Sequence, residues 1–292
     1  MLKDAAAKIV YQLPFIRRLK QRRDHLERVN AELESRLSRL LVFIASSYYA
    51  VSGSKLDELL AYFAVRKVVG FDKIRLGDAH DGGYIMLDDL SSVSQAYSLG
   101  IGGNVSWDLA MAQRGIAILQ YDFSIKAPPA NHALFKFHST KIENIRDIGI
   151  QTESNLILKI DIEGSEWKFF CSASSDDLKS FNQILVEFHG FERYYEPEWQ
   201  AYALGALAKL NQTHQIIHIH ANNFTPPYQI GEMQVPWMIE LTYVLKSKYQ
   251  FTDTDESFPG PLDQPTIPGT TDIPLDPLLK HAEHLRTSRP VG

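Results

Sequence analysis

Residues 155–167 read NLILKIDIEGSEW, and within them Leu156, Ile157, Leu158 and Ile160 form an apolar run broken by one lysine, Lys159. A run without polar alternation predicts a strand buried on both faces, the situation in a parallel sheet covered by helices. Asp161, Glu163 and Glu166 come directly after it. In open α/β sheets ligands bind outside the carboxyl ends of the strands, where the strand order reverses. Asp161 therefore stands where a ligand is expected.

The surrounding chain repeats the same unit. Apolar, β-branched segments predict strands at 95–99, 116–122, 134–138, 156–161, 184–189, 215–220 and 237–246. Helical patterns separate most of them, most clearly in PEWQAYALGALAKLNQ, residues 197–212. Strand and helix in alternation are the sequence form of a doubly wound, Rossmann-like α/β sheet, and a hydrophobic content of 45% over 292 residues supports its core. A further helix is expected from Ser54 to about Val68, with Leu56, Leu59, Leu60 and Phe63 on one side. Seven of the fourteen prolines lie from Pro259 onward, so the tail reads as extended and irregular, wrapped over the domain or partly disordered.

The first residues differ in character. Leu19, Leu26, Leu33 and Leu40 recur every seven residues, and Ile16, Arg23, Asn30 and Leu37 each precede one of them by three. This is the spacing of a coiled coil, and Asn30 at an inner position is a device that sets register in parallel dimers. A homodimer through this coil is expected; a single amphipathic helix lying on its own domain is the alternative. The expected divisions are 1–45 for the coil, 46–69 for a helical connector, 70–252 for the α/β domain and 253–292 for the proline-rich tail packed on it.

Residues 1–41 carry ten Lys or Arg and five Asp or Glu, so within a net charge of -5 this segment is basic and the rest acidic. The cluster in PFIRRLKQRR could rest on an anionic membrane surface. The overall balance, without basic runs interleaved with aromatics, argues against a nucleic-acid partner. A single cysteine, Cys171, excludes an internal disulfide and a multi-cysteine zinc site. Without an apolar run of about 18 residues or a signal-type start, the expected location is cytoplasmic, at most peripheral to a membrane.

The 95–99 strand leads into YSLGIGGNVSWD. Gly100 and Gly102 allow a tight turn and close approach of a ligand, and a helix starting near Asn104 offers free amides. A dinucleotide fingerprint would need glycine at 105, where Val105 stands. Asp122 ends the next strand, where a carboxylate can accept hydrogen bonds from both hydroxyls of a ribose. The ligand implied so far is a nucleoside.

With these residues in view, LKIDIEGSEW resembles the signature of FkbM-type S-adenosylmethionine-dependent methyltransferases. The resemblance continues through RLGDAHDGGYIML, YSLGIGGNVSWD, LQYDFS, LVEFHG, HIHANN, PWMIELTY and PLDQPTIPGTTDIPL, over residues 70–276. Leu99 departs from the more typical family form, which carries an acidic residue before the first glycine. The resemblance implies a seven-stranded methyltransferase sheet whose last strand is antiparallel, with S-adenosylmethionine on Gly100, Gly102 and Asp122. It also implies that Asp81, Gly82, Gly83 and Tyr84 form a flap or floor near the cofactor; a plain Gly-Gly hairpin turn is the alternative. Its acceptor class is a sugar hydroxyl of a surface polysaccharide or glycoconjugate.

Methyl transfer from a sulfonium needs an aligned acceptor and, for a hydroxyl, removal of its proton. His189 and His220, at strand ends, are the candidate bases, and Asp161 borders both the cofactor and the acceptor. His218, deeper in its strand, reads as a satisfied core histidine. A second reading joins Asp161, Glu187 or His189, and His220 as ligands of one divalent metal ion. Glu166 reads as a helix-starting carboxylate. The competing functions are an NAD(P)-dependent Rossmann oxidoreductase, disfavoured by Val105, and a coiled-coil scaffold bearing a cofactor-binding domain.

Overall fold

The computed structural model describes residues 55–150, 155–230 and 233–288, together with Arg22, Arg23, His25, Leu26, Val29 and Leu33. The chain divides into two units between Val51 and Ser52, and the α/β sheet belongs to the second. Most of the heptad coil and of the basic cluster lies outside the described residues; Arg22, Arg23, Leu26 and Leu33 are helical and exposed.

Seven strands form the central sheet: β1 Gln95–Leu99, β2 Ala117–Tyr121, β3 Phe135–His138, β4 Leu156–Ile160, β5 Phe181–His189, β6 His214–Asn222 and β7 Met238–Leu245. Their spatial order is β3-β2-β1-β4-β5-β7-β6. Pairings among β3, β2, β1, β4 and β5 are parallel, and β7 runs antiparallel to both of its neighbours. The sheet is thus mostly parallel and Rossmann-like, and its last strand is antiparallel as expected. The order reverses between β1 and β4, where Gly100 and Asp161 leave the sheet. Leu156, Ile157, Leu158 and Ile160 are fully buried, each side chain contributing roughly 1.5–3 kcal/mol. Apolar runs of this kind have no solvent face and can only occupy the middle of a covered sheet.

The covering helices are α1 Ser106–Ala112, α2 Glu166–Ser172, α3 Ser175–Lys179, α4 Pro197–Thr213 and α5 Asp276–Ser288. In α4 Pro197 opens the first turn, where its missing N–H costs nothing. Two expectations are corrected. The helix expected from Ser54 to near Val68 ends at residue 60; Val65 bridges Ile216, and Lys67–Val68 pairs with Phe251–Thr252. The β-branched valines gain sheet hydrogen bonds that a longer helix would forgo. The tail is irregular over 253–275 but ends in α5, whose Leu278 and Ala282 are buried at i, i+4 spacing.

Lys73–Leu76 and Tyr84–Leu87 form an antiparallel hairpin beside this sheet, and its side chain–backbone bonds reach the core. Gln183 of β5 accepts from the Leu87 amide and donates to the Leu87 carbonyl, at 2.9 and 3.0 Å. The turn carrying Asp81 and Gly82 is thereby held over the carboxyl ends of the central strands. No described helix is long and apolar enough to cross a membrane.

Candidate active site

Parallel register aligns the strand ends: Leu99 of β1 pairs with Tyr121 of β2 and with Ile160 of β4, and Ile160 pairs with Val186 of β5. Gly100, Asp122 and Asp161 therefore emerge together, while β5 runs three residues further to His189. Here a cleft of about 880 Å³ opens. Of the residues singled out from the sequence, Asp81, Tyr84, Gly100, Gly102, Asp122, Asp161, Glu187 and His189 all border it. Gly83 and His220 do not.

The two glycines act differently. Gly100 has φ +74, and a Cβ there would lie 1.6 Å from the Asp161 carbonyl oxygen, so only glycine lets the end of β1 approach the end of β4 this closely. At Gly102 and Gly103 an added Cβ would meet nothing within 4 Å. Their backbone borders open cleft, a cradle suited to a closely approaching nucleoside.

Asp122 closes this loop. Its Oδ2 accepts from the amides of Ile101 and Gly102 at 3.1 and 2.8 Å, and its Oδ1 from the amide and hydroxyl of Ser124 at 2.7 and 2.6 Å. Burial works against the charge, but the Ser124 hydroxyl and these amides outweigh it and hold the carboxyl below its usual range. All four lone-pair positions of the carboxylate are in use, so any incoming hydroxyl could reach Asp122 only by replacing a present donor. The rotatable Ser124 hydroxyl is the one that can yield.

The other half of the cleft is acidic and contains two cations. Asp161 Oδ1 lies 3.9 Å from His189 Nε2, and Asp161 Oδ2 lies 3.9 Å from Lys159 Nζ. Lys159 also donates to the Gly100 carbonyl at 2.6 Å and sits 5.4 Å from the Tyr84 ring centre. Around His189 Nε2 stand Glu163 Oε2 at 3.6 Å and Glu187 Oε1 at 4.0 Å; its Nδ1 faces Glu166 Oε1 at 3.3 Å without the alignment of a full hydrogen bond. Glu166 is fully buried and accepts from the amides of Ile162 and Gly164. It does more than start α2: it sets the loop that carries Glu163, which has φ +54.

These surroundings fix the protonation states. Burial lifts Asp161 to about 6, against the pull of Lys159 and His189 and with Glu166 and Glu163 adding to the rise. Burial alone would lower His189, yet Glu166 foremost, then Glu187 and Asp161, raise it to about 10. Glu187 is pushed well above its ordinary range by burial and by Asp161 and Glu240, while Asn222 donates to it at 2.7 Å. At neutral pH His189 carries its proton and cannot accept another, whereas Asp161 is a carboxylate near its pKa, the condition for a general base.

His220 belongs to a different setting. Register across β5, β7 and β6 places Glu187, Glu240 and His220 in one row, with Glu240 between the other two. His220 Nδ1 faces Glu240 Oε2 at 3.3 Å and Nε2 faces Asp272 Oδ2 at 3.0 Å. Burial opposes its charge, but Glu240 and Asp272 lift it to about 10. The expected metal set of Asp161, Glu187 and His220 is therefore not drawn together, since Glu240 occupies the intervening strand. Asp161, Glu163 and His189 are: one donor atom from each lies within 4.8 Å of the others, a set that could hold a divalent ion. His218 Nε2 shares a hydrogen bond with Asp263 Oδ1 at 2.8 Å and lies buried, in keeping with a core histidine.

Sequence reasoning gave no site role to Lys159, Asn222, Phe224 and Thr266, all of which border the cleft. Lys159 left a signal, a cation within an apolar run; Thr266 lay within the PLDQPTIPGTTDIPL stretch without being singled out.

No family model matches the chain, and no curated protein matches it. Among solved structures it is similar to bluetongue virus VP4, described as a multifunctional RNA-capping production line, with 14% identity and a TM-score of 0.29 over 55% of this chain. The match spans 25% of that chain.

Proposed function

We propose that the protein is an S-adenosylmethionine-dependent O-methyltransferase acting on a hydroxyl, with a sugar of a surface polysaccharide or glycoconjugate as acceptor. The observation that carries this reading is the composition of the cleft: an open glycine loop beside Asp122 on one side, and Asp161, with a pKa of about 6, on the other. The 99–104 loop, Asp122 and Ser124 would hold the nucleoside half of the cofactor. When bound, the cofactor supplies a methyl group on a positively charged sulfur. Asp161 accepts the proton of the acceptor hydroxyl, and Lys159 and protonated His189 beside it favour its ionised form. Val105 at the position needed for close helix packing in a dinucleotide site weighs against the oxidoreductase alternative.

Isothermal calorimetry with S-adenosylhomocysteine, S-adenosylmethionine and NADH tests the reading. Binding of the first two and not the third is expected; NADH binding without S-adenosylhomocysteine binding would overturn it. A second route to the same proton loss is a divalent ion on Asp161, Glu163 and His189, favoured by the convergence of their donor atoms. Turnover that disappears on dialysis against a chelator and returns with Mn²⁺ would select that route.

A further inference from the structure

The wall of the cleft beyond Asp161 comes from two segments far apart in the chain. One is the end of β6, with Asn222, Phe224 and Thr225; the other is the tail, with Thr266 and Ile267. Side chains of β6 and of the residue after it bind the tail along its length. His218 engages Asp263 and His220 engages Asp272. Asn223 accepts from the Ile267 amide at 3.1 Å and donates to the Thr270 hydroxyl at 2.8 Å and the Thr271 carbonyl at 3.2 Å. From the hairpin turn, His80 Nδ1 lies 2.7 Å from the Pro265 carbonyl. The tail is thus fixed immediately before Thr266 and immediately after it.

What those residues present is specific. Phe224 is 69% exposed, a large aromatic face at the cleft, and its amide is fixed by Asn222 Oδ1 at 2.8 Å. Thr266 and Tyr84 also border the cleft, and among the described residues neither hydroxyl makes a hydrogen bond. Both hydroxyls are therefore free to exchange hydrogen bonds with a ligand in the cleft.

Resting on the methyltransferase reading, we infer that Phe224, Thr266 and Tyr84 form the acceptor subsite, and that it takes a pyranoside ring. Such a ring offers an apolar face for Phe224 and several hydroxyls around its edge. A phenol would stack equally well but brings a single hydroxyl, which can engage only one of the two. His218 and His220 are accordingly positioning residues: they hold the tail that supplies Thr266, and they do not touch the reacting atoms.

The test is saturation-transfer NMR with a panel of methyl pyranosides on the full-length protein holding S-adenosylhomocysteine, whose own affinity is measured by calorimetry. The wild type is expected to bind at least one glycoside. Phe224→Ala and the isosteric Thr266→Val should weaken it about tenfold each, while Phe224→Trp and Thr266→Ser retain it and S-adenosylhomocysteine affinity stays within about twofold throughout. If S-adenosylhomocysteine binds but no glycoside does, or if Phe224→Ala and Thr266→Val leave glycoside binding unchanged, the subsite is refuted and the cofactor reading stands. If S-adenosylhomocysteine itself fails to bind, the cofactor reading falls and the subsite with it.

Discussion

Asp161 Oδ1 and His189 Nε2 face each other at 3.9 Å across the ends of two adjacent parallel strands. The histidine is the cation of the pair, and the carboxylate is the group that titrates near neutrality. This inverts the roles that residue types alone suggest. With Asp161 as the base, turnover should rise with pH through about 6 and then level off. Asp161→Asn should lower kcat by roughly 10²–10⁴-fold while cofactor affinity holds, since general-base catalysis is worth about that much.

Replacing His189 with Gln removes a positive charge that lowers the Asp161 pKa. The acid limb of the pH–rate profile should therefore move to higher pH, with activity retained on the alkaline side. A profile that keeps its acid limb in place would show that the limb does not belong to Asp161.

Asp122→Ala should weaken S-adenosylhomocysteine by roughly tenfold to a hundredfold, the equivalent of one charge-assisted hydrogen bond. Ser124→Ala is the informative companion. If the ribose takes the place of the Ser124 hydroxyl on Oδ1, losing that hydroxyl costs the bound state nothing, and affinity should hold or improve in a calorimetric titration.

His214 is fully buried between the Phe181 carbonyl and the Thr213 hydroxyl, and burial lowers its pKa from 6.5 to about 4. The unfolded chain binds this proton first as pH falls, so the folded state loses stability from about pH 6.5 down to about 4, on the order of 3 kcal/mol in all. His220 acts in the opposite direction: its pKa is raised to about 10, so its contribution is full below about 6.5 and is lost as pH rises through about 10. Urea melts of wild type and His214→Gln between pH 4 and 7 should show the variant's stability varying less with pH over that range.

Leu26 and Leu33 are helical and exposed, and a coiled coil built on their seven-residue repeat would bury them against a partner helix. Light scattering should give a dimer for the full chain and a monomer, still binding S-adenosylhomocysteine, after removal of residues 1–45. A monomeric full-length protein would refute the coil.

Much of the fold was legible because it is encoded locally. An apolar run such as Leu156–Ile160 has one stable environment, the middle of a covered parallel sheet, and the residue after it must appear at the sheet's carboxyl edge. Gly100, Asp122, Asp161 and His189 were accordingly placed around one cleft from their positions at strand ends. The tail helix was not legible, because proline content masked the spacing of Leu278 and Ala282. What tertiary structure alone decided was the state and company of the histidines. His189 and His220 look alike in sequence, each closing a run of apolar residues. Their difference arises because β7, the last strand of the central sheet in chain order, inserts between β5 and β6 and brings Glu240 beside His220, while Asp272 arrives from a tail 52 residues further on. A pKa is set by burial and by charges within a few ångströms, and those charges come from parts of the chain that no local pattern connects.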